Sequence, residues 1–202
     1  MTIERVMTAS GETHVSGVGY APEGRVERAG AELGAGPLRA ENIVVLSGGS
    51  LAGNAELRQG AGGAWEIHGD PTEAAFLVAE RKLGHGTVTE RRQRRFERIG
   101  EIPFTSERKL MTTLERDHEH DDAVVVITKG APDVLLDRCT RARVGMASVE
   151  LDAALRARLP CTAWCWTAYT GAARTARRNS SKCPRRPTKR CMRCCTRSSP
   201  ER

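Results

Sequence analysis

The sequence predicts an α+β fold in which antiparallel strands alternate with helices. Two observations carry this expectation. Residues 111–114 and 123–127 are short runs rich in β-branched and apolar residues, joined by the almost wholly charged segment 115–122. That pattern predicts two paired strands with a tip in water. Gly69-Asp70-Pro71-Thr72-Glu73 is a helix start: Asp70 caps, Pro71 suits the first helical position, and Glu73 follows three residues after the cap.

In chain order, residues 2–7 and 13–18 read as strands with Ser10-Gly11 as a tight turn between them. Residues 19–36 are rich in Gly and Pro and read as loop. Residues 37–51 begin at Pro37 and carry Leu38, Ile43, Val44, Leu46 and Leu51, a buried helix weakened by Gly48-Gly49. Residues 54–63 form a second loop and 65–68 a short strand. The helix opened by Asp70 runs to Gly84, a natural stop. Residues 89–95 are basic and read as a short solvated helix or loop, and 96–102 form a strand leading to Phe104. Beyond Lys129, residues 131–139 read as a short helix, 141–144 as a strand and 150–159 as a helix.

The formal net charge of +7 suggests a nucleic-acid partner until the charge is located. From Pro160 onward there are 11 Lys and Arg against the single acid Glu201, whereas the preceding 159 residues hold 21 basic and 24 acidic groups. The body is mildly acidic, and no nucleic-acid partner is expected for it. Six of seven cysteines also lie in this tail, leaving Cys139 in the body, which reads as a reducing-compartment protein without a disulfide framework. No signal peptide and no apolar run of about 18 residues is present. Residues 160–202 contain no Val, Ile, Leu or Phe. Such a segment buries too little apolar area to offset the entropy of ordering it. The expected division is therefore a folded domain at 1–159, incomplete at its C-terminal end, and a Cys/Arg-rich tail at 160–202 that is disordered or out of frame.

The nucleotide expectation comes from what the strand pair gathers at one end. Phe104 precedes the first strand, with Arg108 and Lys109; Lys129, Gly130 and Ala131 follow the second. Antiparallel pairing sets the start of one strand beside the end of the next. An aromatic face, two ammonium groups and a side-chain-free backbone at Gly130 suit an adenine nucleotide: the ring stacks, the phosphates meet positive charge, and the base approaches the main chain.

Four stretches in order then resemble one family. Met1-Thr2-Ile3-Glu4 is similar to the segment just after the phosphorylation motif of P-type cation-transporting ATPases, in particular the type II branch that includes calcium pumps. GDPTE at 69–73 resembles that family's GDPTE-x-AL helix, FTSERKLM at 104–111 its F-x-SERK-x-M segment, and KGAPD at 129–133 its KGAPE turn. The resemblance covers about residues 1–159 and implies an antiparallel β-sheet flanked by helices. It implies that Phe104 stacks on adenine and that Glu73, with Thr72 beside it, meets the exocyclic amino group. Lys109, Arg108 and Lys129 would line the nucleotide, with Gly130-Ala131 giving the base room. The implied ligand is ATP, as Mg-ATP in full-length relatives. The implied partners are a phosphorylation domain and transmembrane segments, on the cytosolic face of a membrane. The phosphorylated aspartate is expected just before Met1, so no catalytic residue and no metal site is assigned to this chain, and no ATP turnover by it alone is expected. Ala52-Gly53-Asn54-Ala55 departs from the family's cysteine and asparagine pair, and the His-Pro pair of heavy-metal pumps is absent.

After residue 159 relatives continue with an apolar strand resembling GLRVLALAYR, whereas this chain reads PCTAWCWTAYTGAARTARR. That is the composition of a shifted reading frame in a GC-rich gene. The expected consequence is a lost strand, an exposed sheet edge and loss of a nucleotide-contacting arginine further on. Competing readings attach to the same residues. Phe104 can serve as core, Glu73 as a capping-box residue, Arg108 and Lys109 as a solvated face, and Lys129-Gly130 as a plain turn. The His118–Asp122 tip reads as a mobile acidic loop rather than a metal site. Cys161, Cys165, Cys191 and Cys194 offer a zinc set, and the basic tail with Trp164 and Trp166 offers single strands a surface; a zinc- or nucleic-acid-binding protein is the alternative from another class. A non-functional pump fragment shares every motif with the first reading.

Overall fold

In the computed structural model, residues 1–84, 86–159 and 165–169 are described. The chain opens with a four-stranded antiparallel meander: β1 (Arg5–Thr8), β2 (Gly11–Val15), β3 (Val26–Arg28) and β4 (Ala31–Glu32). The first hairpin turns where expected, pairing Thr8 with Gly11. The expected loop at 19–36 instead contains β3 and β4, because Ala29 and Gly30 both take positive φ and close a tight turn that composition alone hid.

Helix α1 (Pro37–Leu51) has the expected bounds. Its glycines have a packing role: a Cβ on Gly49 would lie 2.2 Å from the Phe76 ring, so Gly49 lets α1 approach α2 (Pro71–Gly84) closely. Val6, Val15, Val26, Leu33, Leu38, Leu46, Phe76, Ala79 and Leu83 form one apolar cluster between the meander and these two helices. Buried polar groups of α1 tie it to its neighbours. Thr13 Oγ1 donates to Asn42 Oδ1 at 2.8 Å, and Glu41 accepts from the Ser10 amide at 2.9 Å and from the Gly145 amide. Burial pushes the Glu41 carboxyl up, but hydrogen bonds from Ser10, Thr8 and Gly145 outweigh it and hold it below the usual range. On α2, the buried Lys82 donates to the carbonyls of Ser16 and Gly17 at 2.8 and 2.9 Å, and burial pushes its ammonium pKa down.

Between the helices lies a hairpin, β5 (Glu56–Gln59) with β6 (Trp65–His68). The expected loop at 54–63 thus yields a strand, since Leu57 pairs with Ile67 and only residues 60–64 turn. Helix α3 (Thr87–Arg95) then leads into the central sheet of β7 (Phe96–Thr105), β8 (Leu110–Asp117) and β9 (Ala123–Gly130), all antiparallel. Both strands of the expected pair are longer than 111–114 and 123–127. The charged connection is not wholly in water: Glu115 and Asp117 lie within β8 and are only 1% and 3% exposed. Arginines make this possible. Arg98 on β7 meets Glu115 at 3.2 Å, and Arg95 at the end of α3 grips Asp117 through Nε and Nη2. Burial pushes both carboxyls up; it prevails at Glu115, while Arg95 and the Glu119 amide outweigh it at Asp117 and hold that group below its ordinary value.

Helix α4 (Pro132–Arg138), the hairpin β10 (Arg141–Val144) with β11 (Ala147–Glu150), and α5 (Ala153–Arg158), capped by Asp152 through the Leu155 amide, complete the body. β12 (Cys165–Tyr169) pairs antiparallel with β9, Cys165 opposite Gly130 and Tyr169 opposite Val126, giving the order β12-β9-β8-β7. This corrects the expected lost strand and bare edge. CWTAY is composed of residue types that suit a strand, and β9 offers it an unpaired row of backbone groups. Cys161, Cys191, Cys194 and Trp164, invoked for zinc or nucleic acid, lie outside the described residues. No helix among the described residues is long and apolar enough to cross a membrane.

Candidate nucleotide site

The site is built where α2 begins and where β8 and β9 turn over. Asp70 Oδ1 accepts from the Thr72 amide at 2.6 Å and, more weakly, from Glu73 at 3.4 Å, which starts α2 as the sequence predicts. Thr72 and Glu73 stand half-buried on that first turn. The Glu73 side chain does not turn back to close a capping box. Its Oε1 accepts from Lys129 Nζ at 2.6 Å and its Oε2 from the Asn54 amide at 2.7 Å. This ion pair spans 56 residues of sequence and joins the GDPTE helix to the KGAPD turn.

Lys129 is 8% exposed and lies opposite Met111 in the β8–β9 register. Gly130 has a local reason to lack a side chain. A Cβ there would lie 2.1 Å from the Lys109 carbonyl oxygen and 2.9 Å from Leu110 Cα. That oxygen in turn accepts from the Ala131 amide at 3.1 Å, so the turn ending β7 and the turn ending β9 are bonded directly. Lys109 itself has φ of 55°, closing the tight connection between β7 and β8, and its side chain is exposed. Arg108 folds back onto its own turn, donating to the Pro103 carbonyl at 3.2 Å and reaching Thr112 Oγ1 at 3.5 Å.

The strand expected at 96–102 runs on through Phe104, which lies near the end of β7 and precedes β8, inside an irregularity between the pairs Ile102–Thr112 and Thr105–Leu110. Pro103 has no amide to donate, which suits an edge strand and explains the lapse in pairing. Phe104 is 55% exposed, so the reading of its ring as core does not hold. The structure thus joins Glu73 to Lys129 and the backbone of Lys109 to Gly130-Ala131, and sets Phe104 and Arg108 at the same end of the sheet. A separate cavity of about 700 Å³ lies on the helix side, with Leu57, Arg81, Arg92, Phe96 and Arg98 in its wall, and none of these candidate nucleotide residues lines it.

Asn54 and Arg98, which complete the surroundings of Glu73, were not legible in the sequence. Asn54 fell in a segment read as loop, and Arg98 is 44 residues away from it. No spacing signals such a pairing.

An antiparallel sheet with helices, with the GDPTE, SERK and KGAPD segments at one end, is the arrangement that the resemblance to P-type cation-transporting ATPases implies. The comparison with known proteins agrees. Residues 43–161 match the family described as P-type ATPase, cytoplasmic domain N, and the chain belongs to that family. It is similar to "Probable cation-transporting ATPase F" of Mycobacterium tuberculosis, 36% identical over 142 residues, covering 69% of this chain and 15% of that protein. It is also similar to "Calcium-transporting ATPase" of Bacillus subtilis, 34% identical over 141 residues, covering 70% and 15%. "Calcium-transporting ATPase 1" of Bacillus cereus is 44% identical over 72 residues, 36% of this chain and 8% of that one. The chain therefore spans about 15% of the length of the curated relatives that match most of it.

Proposed function

We propose that this chain binds ATP at the end of the central sheet and presents it to the phosphorylation domain of a P-type cation pump, on the cytosolic side of a membrane. The observation that carries the reading is the Lys129–Glu73 ion pair, which sets an ammonium group and a hydrogen-bond acceptor side by side, at the end of the sheet where Phe104 stands exposed. The ring supplies a stacking face, Glu73 retains lone pairs for the amino group of adenine, and Lys109 and Lys129 supply positive charge for phosphates. The donor set fits a nucleotide with its own magnesium rather than a resident metal ion. No turnover by the chain alone is expected, since phosphoryl transfer in the family uses an aspartate in a DKTGTLT motif that this sequence does not contain.

Calorimetric titration with ATP tests the reading. Saturable heat that Phe104→Ala abolishes is the expected result; no heat from a cooperatively folding chain overturns it. Steady phosphate release abolished by Lys129→Ala would overturn the absence of turnover.

A further inference from the structure

We infer that Arg98 is a positioning residue for base recognition, acting through Asn54 to hold the Glu73 carboxylate at the angle that selects adenine; this rests on the nucleotide reading above. Base selection needs Glu73 to aim a free lone pair at a donor. A carboxylate on the first turn of a helix has several rotamers, and it selects only if something fixes one of them.

What fixes it is the turn at residues 51–54. The Asn54 amide donates to Glu73 Oε2 at 2.7 Å, and Gly53 lies against the same side chain, where an added Cβ would be 3.4 Å from Glu73 Cβ. That turn follows the C-terminus of α1, where carbonyls lack helical partners. Arg98 satisfies the last of them, at Leu51, and a carbonyl of the turn itself. Its Nη2 donates to the carbonyls of Leu51 and of Gly53, the latter at 2.9 Å, and its Nη1 donates to Asn54 Oδ1 at 2.5 Å. Glu115 and Glu101 hold the guanidinium from below, at 3.2 and 3.3 Å, and Glu101 also accepts from Asn54 Nδ2 at 3.1 Å. Every donor of the Arg98 fork named here meets an acceptor of this turn or of the sheet. The result is a rigid chain of contacts running from the sheet through Arg98 and Asn54 to Glu73, and from Glu73 to Lys129.

Lysine cannot reproduce the arrangement, because an ammonium on a flexible stem has no planar fork to bridge the Leu51 and Gly53 carbonyls and the Asn54 amide oxygen together. The consequence is specific. Loosening the turn lets Glu73 rotate, so the protein loses discrimination between a base with an amino group and one with a carbonyl at that position.

The test is the ratio of ITP to ATP dissociation constants, measured on the whole chain by calorimetry. A merely structural role would weaken both nucleotides alike and leave this ratio unmoved. Arg98→Lys and Asn54→Ala are each expected to lower the preference for ATP by about tenfold, the share of one charge-assisted hydrogen bond. Asn54→Ala leaves the Glu115–Arg98 pair intact and keeps the test open should Arg98→Lys fold poorly. Glu73→Gln is the reference. If it lowers the ratio while both other variants leave it unchanged, this inference is overturned and the nucleotide reading stands. If Glu73→Gln itself leaves the ratio unchanged, the role given to Glu73 falls, and the inference with it.

Discussion

The N-terminal half and the central sheet are held by different forces. The first is an apolar cluster of nine buried residues shared by the meander, α1 and α2. The second has a small apolar patch of Leu51, Ala52, Val125 and Ile127 beside Phe96, the arginine–carboxylate pairs Glu115–Arg98 and Asp117–Arg95 on its strands, and a third pair, Glu80–Arg92, where α3, which leads into the sheet, meets α2. A buried ion pair adds little net stability over a well-packed apolar pair, yet breaking one is costly, because it strands a charge. The difference teaches that the sheet region is built for fixed geometry, with each carboxylate held at defined angles, whereas the N-terminal half is built for burial.

The sharpest way to break this comparison is Arg92→Ala. Glu80 is fully buried and, besides Arg92, meets Thr89 Oγ1 at 3.1 Å. The expected loss is about 3–5 kcal/mol in urea unfolding, and the double change Glu80→Leu with Arg92→Leu is expected to recover most of it. Recovery by the double variant is the mark of a stranded charge; if it is as unstable as the single variant, the pair contributes net stability after all.

Leu46→Ala samples the other region. Leu46 is completely buried in the N-terminal cluster, and its truncation is expected to cost about 2–4 kcal/mol through lost transfer energy and the cavity left behind. This cost should not change between pH 7 and pH 3, since no titratable group is removed.

Acid separates the regions further. The Asp117 pKa is depressed in the folded state. Its contribution is therefore fully present above the ordinary unfolded carboxylate value of about 3.9, and is lost as pH falls from there through the lower folded value. Urea midpoints between pH 6 and pH 2 should fall less steeply in Asp117→Asn than in the parent, from a lower starting stability. Parallel curves would show that the Arg95 grip carries no pH dependence.

The smallest effect on stability is expected at Phe104. A side chain 55% exposed on an edge strand has little burial to lose, so Phe104→Ala should shift thermal unfolding by no more than about 0.5 kcal/mol while removing ATP binding. A large loss of stability would return Phe104 to the apolar framework and weaken its role as a stacking face.

Much of this was legible in the residues. The Asp70-Pro71 start, the Pro37 start and the β-branched runs of β8 and β9 each follow from backbone preferences that act within a few residues. The hairpins inside the Gly-rich segments 19–36 and 54–63 were not, because a turn at Ala29-Gly30 and a strand at 56–59 show themselves only through their cross-strand partners. The burial of Glu115 and Asp117 was read the wrong way for a related reason. A carboxylate enters the core only with a cation, and those cations come from Arg98 and Arg95, 17 and 22 residues away.

By itself, then, the sequence determined where α1 and α2 begin, that the runs of β8 and β9 become strands, and which segments resemble P-type cation-transporting ATPases, since capping, branching and motif order are local properties of the chain. Only the tertiary structure decided that Glu73 bonds Lys129 instead of its own helix cap, that Gly130 yields to the Lys109 carbonyl, and that Arg98 seats the turn behind Glu73. Each of these is a contact between groups distant in sequence. Their partners are chosen by strand register and helix packing, and by the cost of leaving any buried polar group without one.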